Sequence, residues 1–316
     1  MTILLATDFS KPAFTAYRHA AALALRLKAQ LLILNVLPTT GMTLDPEFPV
    51  HALYLKQLQE EWKGEIEQLR RRVQQDRLLF EIRQVSGDPS ECIIDMADQV
   101  KAALIVTGTY GRTGMDRLLL GSTAEKVVRG AHCPVLTVRD REGDIQPFSG
   151  DLLPVECFLV PIDFSDYAQE AFEFAVSLAK PLDTRMRLIH AFEPSAYPLD
   201  FSLFEVRDEK AFHARVRERL QELVTVLKDQ GISAEAMCNV GLPADMILAE
   251  ATRIPAAMIV MGTHGRRGWE HLAMGSVAEH VIRHSTVPVL TVKSPKYVTH
   301  LLNKSVKEGA HARETN

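Results

Sequence analysis

Two stretches of this 316-residue chain carry nearly the same text, and a chain that repeats itself folds each copy alike. Val106–Val138 reads VTGTYGRTGMDRLLLGSTAEKVVRGAHCPVLTV, and Val260–Val292 reads VMGTHGRRGWEHLAMGSVAEHVIRHSTVPVLTV. The likeness extends outward. Asp8-Phe9-Ser10 aligns with Asp163-Phe164-Ser165, and Gly87-x-Pro89 with Gly241-x-Pro243. Across residues 87–138 and 241–292 about half the positions are identical without a gap. The register shifts by one residue between the start and the middle of the repeat. A chain of this length fits two domains of about 150 residues each. We therefore expect domains at residues 1–139 and 157–293, a polar linker at 140–156 and a polar tail at 294–316.

Each copy alternates strand and helix signals. In the first, strands are expected at 2–7, 31–36, 78–85, 103–107 and 134–138. The run Leu31-Leu-Ile-Leu-Asn-Val36 is continuous and apolar, as in strands buried on both faces of a parallel sheet. Between the strands, Ser10-Lys11-Pro12 opens a helix through Lys28, a charged amphipathic helix spans roughly residues 51–76, and Ser122 opens another. The second copy places strands near 157–162, 185–191, 232–240, 257–261 and 288–292. Strict alternation predicts an α/β fold, a doubly wound parallel sheet in each domain with helices on both faces. Ligands bind such sheets outside the carboxyl ends of the strands, where the strand order reverses. The turns at Asp8 and Gly108 both follow strand ends.

Composition narrows the function classes. Charged residues make up 24% and the formal net charge is −4, so there is no basic excess to attract nucleic acid. No run approaches the ~18 apolar residues of a membrane span. Met1–Asp8 enters a strand directly, with no leader pattern, and the reading is a cytoplasmic protein. The four cysteines are scattered without metal spacing, and Cys92, Cys133 and Cys238 read as buried thiols.

The repeated glycines carry the chemistry. Gly108-x2-Gly111-x9-Gly121-Ser122 recurs as Gly262-x2-Gly265-x9-Gly275-Ser276. Glycine serves such a loop by reaching positive φ at turns and by letting backbone approach a phosphate with no Cβ in the way. Gly121-Ser122 then presents free N–H groups at a helix N-terminus, a natural anion site. Ser122-x-x-Glu125 and Ser276-x-x-Glu279 have capping-box spacing, so the serines also read as helix caps. Arg112 and Arg266 occupy equivalent loop positions, either as phosphate partners or as solvated loop residues. Asp8 and Asp163 read as turn-formers before a helix or as groups that help position a divalent ion on phosphates. His280 and His284 lie four apart on a helix, but no third metal ligand is evident, and a surface face is the better reading. His264 and His271 lie in the second loop without distinction. The Walker loop and the dinucleotide fingerprint are both missing, and no repeated pair reads as a water-activating base with its partner.

With these residues in hand, the chain resembles the universal stress protein family, through the triple-glycine spacing, the DFS after the first strand and the closing PVLTV. Both halves fit, so it resembles a tandem member of the ATP-binding branch. The resemblance implies five strands per domain in the order 3-2-1-4-5. It implies that Asp8 and Asp163 face ribose and phosphates, and that Val36 and Ala191 border the adenine through their backbone. Thr107 and Met261 would pack by the base. Gly108, Gly111, Gly121 and Ser122, with Gly262, Gly265, Gly275 and Ser276, would hold ribose and phosphates, and Thr123 and Val277 would add N–H groups. The family often has proline two residues before the aspartate; Pro161 fits where Ala6 does not, and Met261 fits where Thr107 departs. The second site is thus the closer match.

The implied function is an ATP-, ADP- or AMP-binding stress-response regulator with one pocket per domain, any Mg²⁺ or Mn²⁺ being held through the phosphates. The alternatives are a slow ATPase and an interaction scaffold with vestigial pockets. The family also pairs fifth strands at the sheet edge. This implies that Pro134–Val138 and Pro288–Val292 pair within the chain as a pseudo-dimer, with a homodimer of tandem chains as a further step.

Overall fold

The computed structural model describes residues 1–39, 50–110, 120–140, 155–193, 207–254, 257–265 and 274–293. The chain divides between Pro154 and Val155 into two compact units. Unit one runs β1 (Thr2–Thr7), α1 (Lys11–Leu27), β2 (Gln30–Pro38), α2 (Val50–Gln75), β3 (Phe80–Gly87), α3 (Pro89–Gln99), β4 (Leu104–Gly108), α4 (Ser122–Gly130) and β5 (Val135–Val138). Unit two repeats the order with β6 (Cys157–Pro161), α5 (Asp166–Leu182), β7 (Arg185–Phe192), α6 (Arg207–Asp229), β8 (Ala234–Val240), α7 (Pro243–Arg253), β9 (Ala257–Gly262), α8 (Ser276–His284) and β10 (Val289–Val292).

All pairings within a unit are parallel. The order is β3-β2-β1-β4-β5 in unit one and β8-β7-β6-β9-β10 in unit two. Both are the doubly wound α/β sheets expected, strand order included. The central strands explain themselves: Ile3, Leu4, Leu5, Leu31, Ile33 and Leu34 are wholly buried, with helices covering both faces. The short helices α4 and α8 bury one stripe each, Ala124, Val127 and Val128 in the first and Ala278, Val281 and Ile282 in the second. Burying one such valine contributes about 1.5–3 kcal/mol, which seats a nine-residue helix too short to form alone.

The third strand of each unit starts two residues later than its apolar run predicts. Leu78 N–H donates to Val73 O, and Ile232 N–H to Leu227 O, so both residues close the preceding helix. The turns need left-handed backbone, at Arg77 (φ 56) and Gly231 (φ 80). Helix closure uses the first apolar residues of the run, and the strand receives the rest.

The cysteines differ from expectation. Cys157, the first residue of β6, is the buried one, whereas Cys92, Cys133 and Cys238 are partly exposed. Burial still pushes the Cys133 thiol up to about 12, so it stays protonated at neutral pH.

The register pairs Leu5 with Val106 and Leu159 with Ile259. The carboxyl ends of β1 and β4, and of β6 and β9, therefore lie side by side at the point where the strand order reverses. This is where a doubly wound sheet opens a crevice.

Candidate functional site

The turn after the first strand is alike in both units. Asp8 Oδ1 accepts the Ser10 N–H at 3.0 Å, and Asp163 Oδ1 accepts the Ser165 N–H at 2.9 Å. Each aspartate thus closes the turn before its helix. The residue between is an aromatic in left-handed backbone, Phe9 at φ 59 and Phe164 at φ 62. Such a conformation is rare for a bulky side chain, and it persists only where neighbours impose it. In unit one the neighbour is Trp62 on α2, with ring centroids 5.9 Å apart. In unit two the neighbours are His190, at 5.5 Å, and the Arg219 guanidinium of α6, 4.6 Å over the ring.

A buried polar side chain on the second strand ties that turn to the sheet. Asn35 Nδ2 donates to Thr7 O at 2.9 Å, and Gln84 Nε2 donates to Asn35 Oδ1 at 2.8 Å. In unit two His190 Nδ1 takes the same role against Ile162 O at 2.5 Å. These residues precede Val36 and Ala191, the positions implied to border the base. The only sequence signal for them is a polar residue inside an apolar strand.

The glycines act by close approach. A Cβ on Gly108 would stand 2.9 Å from Pro12 Cβ and 3.1 Å from its backbone carbon, and one on Gly262 would stand 2.8 Å from the Tyr167 carbonyl oxygen. Strand four can end against the first turn of α1 or α5 only because these residues lack a side chain. Gly121 N–H donates to Thr109 O at 2.6 Å, and Gly275 N–H to Thr263 O at 2.8 Å, closing each loop. A Cβ on Gly265 would lie 2.8 Å from Asp163 Oδ2, so that carboxylate fills the space a side chain would take. None of Gly108, Gly121, Gly262, Gly265 and Gly275 has φ in the left-handed region. The expectation of positive φ at the turns is therefore corrected for these five: space, not φ, requires them.

The capping-box expectation is also corrected. The N-caps are Gly121 and Gly275, neither with a side-chain cap, and Ser122 and Ser276 are the first helical residues. Glycine holds the cap position because the carbonyl it bonds stands 3.1 or 3.2 Å from where its Cβ would be. The glutamates turn down their helices instead, Glu125 to Arg129 at 2.9 Å and Glu279 to Arg283 at 2.8 Å. The first intrahelical bonds come from Glu125 N–H and Glu279 N–H, so the N–H groups of Ser122, Thr123 and Ala124, and of Ser276, Val277 and Ala278, precede the helical ladder. Ser122 and Ser276 are exposed.

Thr107 and Met261 are buried near the ends of β4 and β9, and Pro161 ends β6 where Ala6 lies within β1. Gly111, Arg112, Arg266 and His271 lie outside the described residues. His264 Nδ1 meets Thr263 Oγ1 at 3.0 Å, and its ring lies 4.9 Å from Tyr167. His280 and His284 stack at 4.1 Å, with His284 Nδ1 on the His280 carbonyl. No group of three metal-ligating side chains occurs among the described residues.

One pair of cations escaped the sequence reading. Arg139 and Lys293 follow β5 and β10, whose last carbonyls accept Thr109 N–H (2.9 Å) and Thr263 N–H (3.1 Å) at the base of each loop. Burial holds both side chains below their usual pKa ranges. A positive charge thus borders each loop, in a position that only the repeat alignment could have singled out.

Comparison with known proteins agrees with this architecture. The model of the "Universal stress protein family" matches residues 1–139 and 156–293. A universal stress protein of Methanocaldococcus jannaschii is 32% identical over 140 residues, which is 43% of this chain and 81% of that one. One from Mycolicibacterium smegmatis is 27% identical over 299 residues, 92% of this chain and 96% of its own. The crystal structure of a universal stress protein from Archaeoglobus fulgidus shares the fold at a TM-score of 0.68 and 23% identity, covering 92% of this chain and 98% of that one. No helix among the described residues is long and apolar enough to cross a membrane.

Proposed function

The chain belongs to the universal stress protein family, and from its two matched crevices we propose that it is a regulatory protein binding one adenine nucleotide per unit. The observation that carries this reading is the convergence of an aspartate turn, a glycine-ended strand and a helix N-terminus capped by glycine, built twice. A glycine cap leaves the donors of the first helical turn to a ligand, and an anion is the ligand they suit. Phosphates lie against the N–H groups of Ser122, Thr123 and Ala124 in unit one, and of Ser276, Val277 and Ala278 in unit two, with the serine hydroxyls beside them. Asp8 and Asp163 take ribose hydroxyls as acceptors, and backbone at Val36 and Ala191 reads the adenine. A Mg²⁺ or Mn²⁺ ion travels with the phosphates. Occupancy by ATP, ADP or AMP then selects the protein's partner or conformation.

Extraction of freshly purified protein, followed by ATP and AMP titration of the parent and of Gly275→Val, tests this. Two sites are expected in the parent and one in the variant. If neither nucleotide co-purifies or binds at millimolar concentration, the pocket reading is lost and the scaffold reading stands. Single-turnover assay of the loaded protein separates binding from slow hydrolysis.

A further inference from the structure

We propose that Arg219 is a positioning residue for the second pocket: its guanidinium holds the Phe164 ring, and through it the Asp163 carboxylate, at the geometry that binds nucleotide. The inference rests on the pocket reading above and deepens it. Phe164 has left-handed backbone at φ 62, which a phenylalanine does not adopt unless its ring is fixed from outside. Two groups do so. His190 lies 5.5 Å away and is anchored by Nδ1 to the Ile162 carbonyl, one residue before Asp163. Arg219 approaches from α6 with its Cζ 4.6 Å from the ring centroid, within the range of an attractive cation–π contact.

In sequence, Asp163 lies between Ile162, whose carbonyl meets His190, and Phe164, whose ring meets Arg219. Its Oδ1 accepts the Ser165 N–H at 2.9 Å and the Ser165 hydroxyl at 2.6 Å, while Oδ2 occupies the space a Gly265 Cβ would need. A rotation of the backbone at Phe164 therefore carries the carboxylate relative to the loop. Unit one makes the same hold differently, with the buried indole of Trp62 at 5.9 Å from Phe9. Trp62 is 3% exposed, whereas Arg219 is exposed to solvent. The second turn is thus fixed by a group at the surface, which a partner or a change of side chain can reach.

The test is ATP titration of the full chain, read at the second site, alongside amide hydrogen exchange at Ser165. Arg219→Ala is expected to weaken ATP binding about two- to fivefold, the worth of an exposed cation–π contact. It should also speed exchange of the Ser165 amide. Arg219→Lys, which keeps the cation, restores both, whereas Arg219→Gln does not. Combined with Asp163→Asn, Arg219→Ala adds no further loss. Parent-like affinity in Arg219→Ala, with Asp163→Asn impaired, overturns the proposal and leaves the pocket standing. If the parent itself binds no ATP, the pocket reading fails, and Ser165 exchange that is unchanged in Arg219→Ala overturns the positioning role as well.

Discussion

Phe9 and Phe164 share a left-handed turn, yet one is packed by a buried indole and the other by a guanidinium and an imidazole. The same division runs through both copies. Position 35 is an asparagine whose donor and acceptor are both used inside the sheet, and its counterpart is His190. Tyr17 of α1 donates to Asp76, which Arg72 also binds, where α5 has Phe172. Ser165 Oγ accepts Ala168 N–H at 3.2 Å and donates to Asp163, while Ser10 Oγ is buried with no partner among the described residues. The backbone geometry of the site is common to the two units and the side chains that secure it are not. A duplicated fold can keep its strained turn by any set of contacts that overdetermines it.

The largest effect is expected where the copies differ least. Gly262→Ala would drive a Cβ to 2.8 Å from a backbone carbonyl, and Gly108→Ala would drive one to 2.9 Å from the Pro12 ring. Overpacking of this kind costs about 1–3 kcal/mol. Calorimetric melting should show both variants less stable than the parent, with Gly262→Ala the worse because carbonyl and backbone carbon yield less than a ring carbon. The reverse order would show that strand four is seated differently in the two units.

The next comparison concerns the helix caps. Ser165→Ala removes a working cap and is expected to destabilise unit two by about 1 kcal/mol. Ser10→Ala removes a hydroxyl that caps nothing and should leave the melting temperature of unit one in place. Equal losses in denaturant titrations would contradict the difference described between the two turns.

The smallest effect depends on pH. Glu170 of α5 has its carboxyl pushed up to about 7, by burial first and then by Glu173 and Asp166, whereas the matching residue of α1 is Thr15. An acid whose folded pKa exceeds its unfolded value binds its proton more tightly when folded. Its favourable contribution is complete below about 4.5 and is lost as pH rises through about 7. Glu170→Gln should therefore match the parent at low pH and melt higher above pH 7. A constant difference across that range would remove Glu170 as the cause.

Much of the fold was legible because it is local. Leu31–Leu34 announce a buried parallel strand, and Pro38 marks its carboxyl end. The site was legible to the extent that the repeat flags residues: Asp8, Gly108, Gly121 and Ser122 stand out because their partners recur. What could not be read is contact between distant positions. Trp62 and Arg219 lie on the second helix of each unit, far along the chain from the phenylalanines they hold, and at unlike residues in the two copies. The cap was misread by one residue because Ser-x-x-Glu spacing fits Ser122 and Glu125, while the carbonyl of Thr109 that excludes a side chain at residue 121 comes from across the loop. Leu78 was misread because an apolar residue that closes a helix and one that opens a strand look alike in one dimension.

The glycine caps of α4 and α8 have a thermodynamic consequence. A helix end with no side-chain cap would be completed by a bound anion, and binding and folding of the unit would then be linked. If the proposed nucleotide binds there, at a free concentration a hundredfold above its dissociation constant it would add about 2.7 kcal/mol to the stability of the unit that holds it. The persistence of each unit against unfolding and proteolysis would then rise and fall with the nucleotide around it, so that the abundance of the protein itself becomes a record of that supply.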